Sequence, residues 1–171
     1  MKKNFILASL VTILGIFSSF SALSYDGTIR FQGSIINEGC TIDTKDVVVN
    51  FGKLSKKSFG TNTGIVGISK DFSISLSSCN KTGDLGIYFN GEPDIHNRNV
   101  YSSGVAGVGI QILKASDKTN IKPRENTAGI ATIASNNATM NFIAELISTQ
   151  DAASIGNGKI DKTFNFTIIY P

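Results

Sequence analysis

The sequence predicts an all-β protein, folded as an antiparallel sandwich. Three observations carry that reading. Apolar and polar residues alternate with period two in short segments, and Gly, Asn, Asp and Ser punctuate those segments at hairpin spacing. No amphipathic helical pattern of any length interrupts them.

Taken in order, the chain opens on a different signal. Lys2 and Lys3 precede an apolar run over residues 5–17, and the small residues Ala22 and Ser24 follow. A positive start, a short apolar stretch and small residues make up a secretory signal peptide. The run is shorter than the roughly 20 residues that cross a bilayer. A membrane anchor or a buried N-terminal helix is the alternative. Residues 1–24 are therefore read as the signal, which leaves 147 of the 171 residues as a mature chain of single-domain length.

The first strand is expected at residues 28–36, with Ile29, Phe31, Gly33 and Ile35 on one face and Thr28, Arg30, Gln32 and Ser34 on the other. Val47, Val49 and Phe51 mark a second. Phe72, Ile74 and Leu76 alternate with Ser73, Ser75 and Ser77 and run into Cys79. Leu85, Ile87 and Phe89 form the next strand, closed by the Asn90-Gly91 turn signal. Residues 108–113 and 140–147 continue the series. In the latter, Met140, Phe142, Ala144 and Leu146 oppose Asn141, Ile143, Glu145 and Ile147. The chain ends on a strand in which Phe164, Phe166, Ile168 and Tyr170 share a face, with Pro171 last. Residues 55–59 and 151–155 are the two places for a turn of helix. Many short strands with one cysteine pair argue for an immunoglobulin-like sandwich.

Cys40 and Cys79 are the only cysteines, and both lie in the exported part. An even pair in an oxidising compartment reads as one disulfide. A metal site needs more ligands than this, and the single histidine, His96, is far from both in sequence; no metal and no cofactor is expected. Removing Lys2 and Lys3 lowers the basic residues from 16 to 14 against 13 acidic, so the net charge falls from +3 to +1. No basic patch is left to argue for nucleic acid.

The first strand begins three residues after the expected cleavage. A terminal strand with an apolar face needs a partner, either within its own sandwich or on another molecule by strand addition.

The residues that follow resemble a known family, the pilins of the chaperone–usher pathway, and are most similar to the minor, adaptor-type subunits of type 1 fimbriae. The stretch DGTIRFQGSIINEGCTID (residues 26–43) has the family's layout, and Cys79 in SLSSCN fits its partner cysteine. GVGIQILKASDKTNIKP (107–123), MNFIAELISTQ (140–150) and the ending FNFTIIYP (164–171) are similar to its later strands. The resemblance covers essentially the whole mature chain. It implies an incomplete immunoglobulin-like sandwich that lacks its final strand. A periplasmic chaperone fills the gap first, and the N-terminal extension of the next subunit then replaces it. Carried onto this sequence, residues 25–35 are the donor-strand extension, with Ile29, Phe31 and Ile35 filling pockets and Gly33 where only a hydrogen fits. Residues 36–171 are the pilin domain. The strand carrying Phe164, Phe166, Ile168, Tyr170 and Pro171 flanks the groove and meets the chaperone. The implied partners are that chaperone, an outer-membrane usher and adjacent fimbrial subunits. The implied course runs through the periplasm to the cell surface. The short extension before Cys40 matches adaptor subunits; Pro171 after the tyrosine departs from the usual ending.

Other features read as structural. The glycines of residues 104–109 match neither a dinucleotide fingerprint nor a phosphate loop and fit turns or bulges. His96 sits in a polar stretch, residues 92–99, with no catalytic signature around it, so no catalytic residue is assigned. Asp43 with Asp46, and Glu92 with Asp94, lack calcium-loop spacing. The alternatives to a minor or adaptor subunit are a major rod subunit, a carbohydrate-binding adhesin and a self-complete secreted β-sandwich. An adhesin normally carries a further lectin domain, for which 147 residues leave no room, and this chain has no tryptophan to stack on a sugar.

Overall fold

The computed structural model describes Arg30 and residues 39–171. The chain divides into two compact units, Met1–Ile36 and Asn37–Pro171. In the first, only Arg30 is described, and it is exposed. The expected signal peptide, the donor extension and the strand at 28–36, Arg30 apart, lie outside the described residues.

The second unit contains eight strands: β1 (Thr41–Ile42), β2 (Val66–Ser77), β3 (Gly83–Asn90), β4 (Tyr101–Ser102), β5 (Val108–Lys114), β6 (Thr127–Ile133), β7 (Ala138–Ser148) and β8 (Asn165–Ile169). They form two antiparallel sheets, one ordered β1-β2-β7-β5-β4 and the other β6-β3-β8. Period-two alternation turns one row of each strand into the space between the sheets. Ile74 and Leu76 of β2, Met140, Phe142 and Leu146 of β7, and Ile110 and Ile112 of β5 meet Leu85, Ile87 and Phe89 of β3, Ile130 and Ile133 of β6 and Ile168 of β8. Phe142 is the hinge of this packing. It stacks on Phe72 at 5.0 Å within its own sheet and meets the edge of Phe89 at 5.7 Å across the core. Each such side chain contributes roughly 1.5–3 kcal/mol on burial.

Strands β2, β3, β5, β7 and β8 stand where the alternation predicts them. The segment around Val47, Val49 and Phe51 does not: it joins no ladder. Its alternation is nevertheless expressed, since Val47, Val49 and Phe51 are half-buried while Val48 and Asn50 are exposed. The chain there is apolar on one side but has no strand beside it among the described residues.

β6 is a strand that the pattern did not announce, because TAGIATI is short of large apolar residues and carries a glycine. Its formation rests on a hairpin. Ser135 and Asn136 both take positive φ (50° and 61°), and Ala134 and Asn137 exchange two backbone hydrogen bonds at 2.9 Å. Two left-handed residues make the turn that matches strand twist and delivers β6 into β7. Residues 55–59 give one turn of 3₁₀ helix, Lys56–Phe59, capped by the Ser55 hydroxyl and burying Phe59. Residues 151–155 give a turn, in which Asp151 accepts the Ser154 N–H.

Candidate functional site

The disulfide is the first fixed point. Cys40 and Cys79 are bonded across 39 residues, which joins the residue before β1 to the segment after β2. Cys79 is buried and its N–H donates to the Asn136 carbonyl at 2.9 Å, so the bridge is also tied to the β6–β7 hairpin.

The C-terminus converges on the same end of the domain. The N–H of Cys40 donates to the Tyr170 hydroxyl at 3.1 Å. Pro171 lies against Gly83 at the start of β3: a Cβ on Gly83 would stand 3.1 Å from the proline ring. Ser78, Cys79, Asn80, Lys81, Thr82, Asn136 and Pro171 surround a shallow concavity of about 830 Å³ there.

From this anchor β8 runs along the edge of the three-stranded sheet. It pairs with β3 over its full length, from Gly86 opposite Ile169 to Asn90 opposite Asn165. Its other edge meets no strand among the described residues. Ile168 is buried, while Phe164, Phe166 and Tyr170 are half-buried on the same core. Phe166 meets Phe89 at 6.4 Å, and Phe164 stacks on Tyr101 at 4.8 Å. The row of side chains is thus set by the core while the backbone beside it is left to pair. Phe72 has the same half-finished character: it stacks on fully buried Phe142 yet is itself half-buried. Val47, Val49 and Phe51 are likewise half-covered apolar side chains.

An edge strand of this kind is an unfilled hydrogen-bonding template with apolar neighbours. Chemically it can accept one extended segment whose alternate residues are apolar. Of the residues singled out from sequence, Cys40, Cys79, Phe164, Phe166, Ile168, Tyr170 and Pro171 are brought together along one end and one edge of the domain. Ile29, Phe31, Gly33 and Ile35 lie outside the described residues. Phe72, Val47, Val49 and Phe51 belong beside them in character, and the sign that marks them is apolar alternation without full burial.

The remaining candidates are part of the scaffold. His96 lies in a loop shaped by buried Asp94, whose carboxylate accepts the N–H groups of His96 (2.9 Å) and Asn97 (3.1 Å). Gly104 and Gly107 take positive φ in the β4–β5 connection. Among the described residues no cluster of three His, Cys, Asp or Glu is arranged to hold a metal ion. The Tyr101 hydroxyl is buried without a partner, and burial, then Glu125 and Tyr88, push its pKa up.

Comparison with known proteins agrees with this geometry. The family model described as "Fimbrial protein" matches residues 29–171. The F17 fimbrial protein of Escherichia coli is 32% identical over 99% of this chain and 98% of its own length. The major fimbrial subunit SMF-1 of Stenotrophomonas maltophilia is 27% identical over 88% of this chain and 95% of its own. The crystal structure of the P pilus rod subunit PapA superimposes with a TM-score of 0.63, covering 77% of this chain and 99% of that one at 22% identity. The shared fold is the immunoglobulin-like sandwich lacking a strand, which is how β8 comes to lie at an edge.

Proposed function

This chain belongs to the fimbrial protein family, a subunit of a surface fibre, and from that premise we propose that it polymerises by donor-strand exchange. The observation that carries the proposal is the edge of β8, paired to β3 on one side and without a strand on the other among the described residues. A neighbouring subunit's residues 25–35 supply the missing strand, with Ile29, Phe31 and Ile35 directed at the half-buried apolar row and Gly33 at the closest approach. Three such anchors contribute several kcal/mol, at roughly 1.5–3 kcal/mol each. Each new backbone hydrogen bond adds about 1 kcal/mol. A strand exchanged inside a sandwich leaves only through an unfolding-like barrier, so the joint is kinetically stable. That is the property a fibre under load needs, and the role is structural rather than enzymatic.

Before assembly, a periplasmic chaperone strand occupies the same edge, with Phe164, Phe166, Ile168, Tyr170 and Pro171 as its contact strand, and an outer-membrane usher passes the subunit to the surface. A thermal melt tests the core of this reading. One variant starts near Ser34; a second is the same domain with residues 26–35 joined after Pro171 through a flexible linker. The expected result is a fragile or aggregating first variant and a second that melts tens of degrees higher, since a filled sandwich gains the burial and ladder bonds above. A stable monomeric first variant that gains nothing from the added strand would show a complete fold and end the fibre mechanism.

For position in the fibre, the short extension before Cys40 supports a minor or adaptor place. The second reading, a major rod subunit, is favoured by the likeness to the Stenotrophomonas major subunit over 88% of this chain. Immunogold labelling of fibres separates them: label confined to one end supports the first, and label along the whole shaft supports the second.

A further inference from the structure

Among the described residues the strands that end the two sheets, β1, β4, β6 and β8, each leave an outer edge unpaired, and two long edges matter for a joint between copies. One is that of β8. The other is that of β2, which pairs with β7 from Val66 to Leu76 but with β1 only at Leu76 and Ser77. The core-facing row of β2 holds Ile68, Lys70, Phe72, Ile74 and Leu76. Lys70 stands opposite Ala144, between Ile68 opposite Leu146 and Phe72 opposite Phe142. A charge therefore interrupts an otherwise apolar row, and Lys70 is exposed although its register is that of the core. The matching row of β8, from Phe164 through Phe166 and Ile168 to Tyr170, carries no charge.

An open strand edge templates pairing with any strand that reaches it, and an inward-pointing charge blunts it. We propose that Lys70 is such a guard. It closes the edge of β2 to a second copy of this chain, while the uncharged row of β8 stays open for the joint between subunits. The proposal rests on the donor-strand reading of β8.

The register argument is specific. In a symmetric antiparallel pair of β2 strands, a core-facing residue always lies opposite another of the same row, because side chains alternate with period two. Over Ile68–Ile74, the part of β2 that β1 leaves free, Lys70 has two kinds of neighbour. Opposite its own counterpart in the second copy it makes a like-charge pair, which is destabilising. Opposite Ile68, Phe72 or Ile74 of the second copy its ammonium is pressed into apolar surroundings, which costs the charge its water. The donor extension, with Ile29, Phe31 and Ile35 on one face, meets the same obstacle at β2 and none at β8. A register that avoids it must leave Lys70 outside the shared ladder, which shortens the pairing.

The test uses the full mature chain with a copy of residues 26–35 joined after Pro171, so that the edge of β8 is filled. Four versions are compared: unsubstituted, Lys70→Val, Lys70→Arg and Asp71→Val. The last adds the same β-branched side chain to the outward row. Mass is read by light scattering, and hydrogen exchange is followed at the amides of residues 68–73. Lys70→Val is expected to associate and to slow exchange at those amides by about tenfold, while the other three stay monomeric. Lys70→Val remaining monomeric with unchanged exchange overturns the proposal. So does equal association by Asp71→Val, because added apolarity and not the lost inward charge would then be the cause. If the unsubstituted fused chain melts no higher than the unfused one, the reading of β8 has failed instead. The guard role is then decided by the exchange at residues 68–73 alone, Lys70→Val against its parent.

Discussion

The backbone N–H of Cys40 donates to the hydroxyl of Tyr170 at 3.1 Å, so the penultimate residue of the chain is tied to the disulfide. The same ring closes over Gly39, where a Cβ would lie 3.3 Å from it. The far end of β8 is thereby held in place with no second strand beside it among the described residues. Tyr170→Phe keeps the ring and removes the acceptor. It is expected to cost about 1 kcal/mol, which lowers the melting temperature by roughly 3 °C. Differential scanning calorimetry of the two chains measures this, and an unchanged melting point contradicts it.

The disulfide itself carries more. Closing a loop across the 39 residues between Cys40 and Cys79 restricts the unfolded chain by roughly 4 kcal/mol on the chain-entropy model. The double variant Cys40→Ala with Cys79→Ala should unfold at a correspondingly lower urea concentration and with a steeper slope, because its unfolded chain is no longer held compact. The backbone hydrogen bond from residue 79 to the Asn136 carbonyl survives the substitution, so the β6–β7 hairpin should keep its amide protection.

Gly86 sits where the β3–β6 register shifts, between Leu85 and Ile87. Across from it β6 bends at Gly129, whose φ is +64°. A Cβ on Gly86 would lie 2.8 Å from the Thr127 carbonyl oxygen, and a backbone atom cannot swing aside as a side chain can. Gly86→Ala is expected to destabilise by about 1–3 kcal/mol, the usual cost of overpacking, with the damage localised to β6. Chemical-shift changes confined to β3 and β6 identify that cause.

The donor extension should be sensitive to charge and the domain insensitive to it. On the proposed mechanism, Phe31→Asp or Ile29→Asp places a carboxylate in an apolar groove, which costs several kcal/mol in the joint. Heat-resistant oligomer ladders and fibres seen by electron microscopy should disappear, while the substituted chain still accepts a donor strand supplied as a peptide. Wild-type fibre yield from either variant contradicts the role given to these residues.

Acid sensitivity follows from two turns. Asp117 is held below the usual carboxylate range by the backbone N–H of Thr119 at 2.9 Å, with Thr119's side chain and then Lys114 adding to it. Asp151 is held low by the side chain and backbone of Ser154. Both have folded values below their unfolded ones. Their stabilisation is therefore fully present above the ordinary Asp value of about 3.9 and is lost as pH falls through the folded values. Both groups are exposed, so the contribution is small. The double variant Asp117→Asn with Asp151→Asn should melt slightly lower than the parent at pH 7, and the gap should close as the pH falls through the folded values. A gap that persists in acid assigns the effect to something other than charge.

Much of the sandwich was legible along the chain because alternation is a local property. Ile74 and Leu76, Leu85, Ile87 and Phe89, and Met140 and Phe142 each declare an inward face within a few residues, and each is buried. β6 escaped because its sequence is weakly apolar and its existence depends on the left-handed pair Ser135 and Asn136, which a pattern of hydrophobicity does not register. The segment at Val47, Val49 and Phe51 misled in the opposite direction. Its pattern is that of a strand, but a strand is defined by the chain beside it, and none is there among the described residues.

The all-β class, the paired cysteines and the apolar row that ends the chain could all be read from the residues alone. These follow from residue type and short-range spacing. Which strands lie at edges is settled by the assembled sheets. Nothing within β8 says that β3 will take one side of it and leave the other open, and nothing within β2 says that Lys70 will stand in a core-facing row beside an open edge. Both facts come from strand order, which is set by contacts between segments far apart in the chain. Burial rewards the pairing of whole sheets, and it is the leftover edge, not any motif, that a second molecule can use.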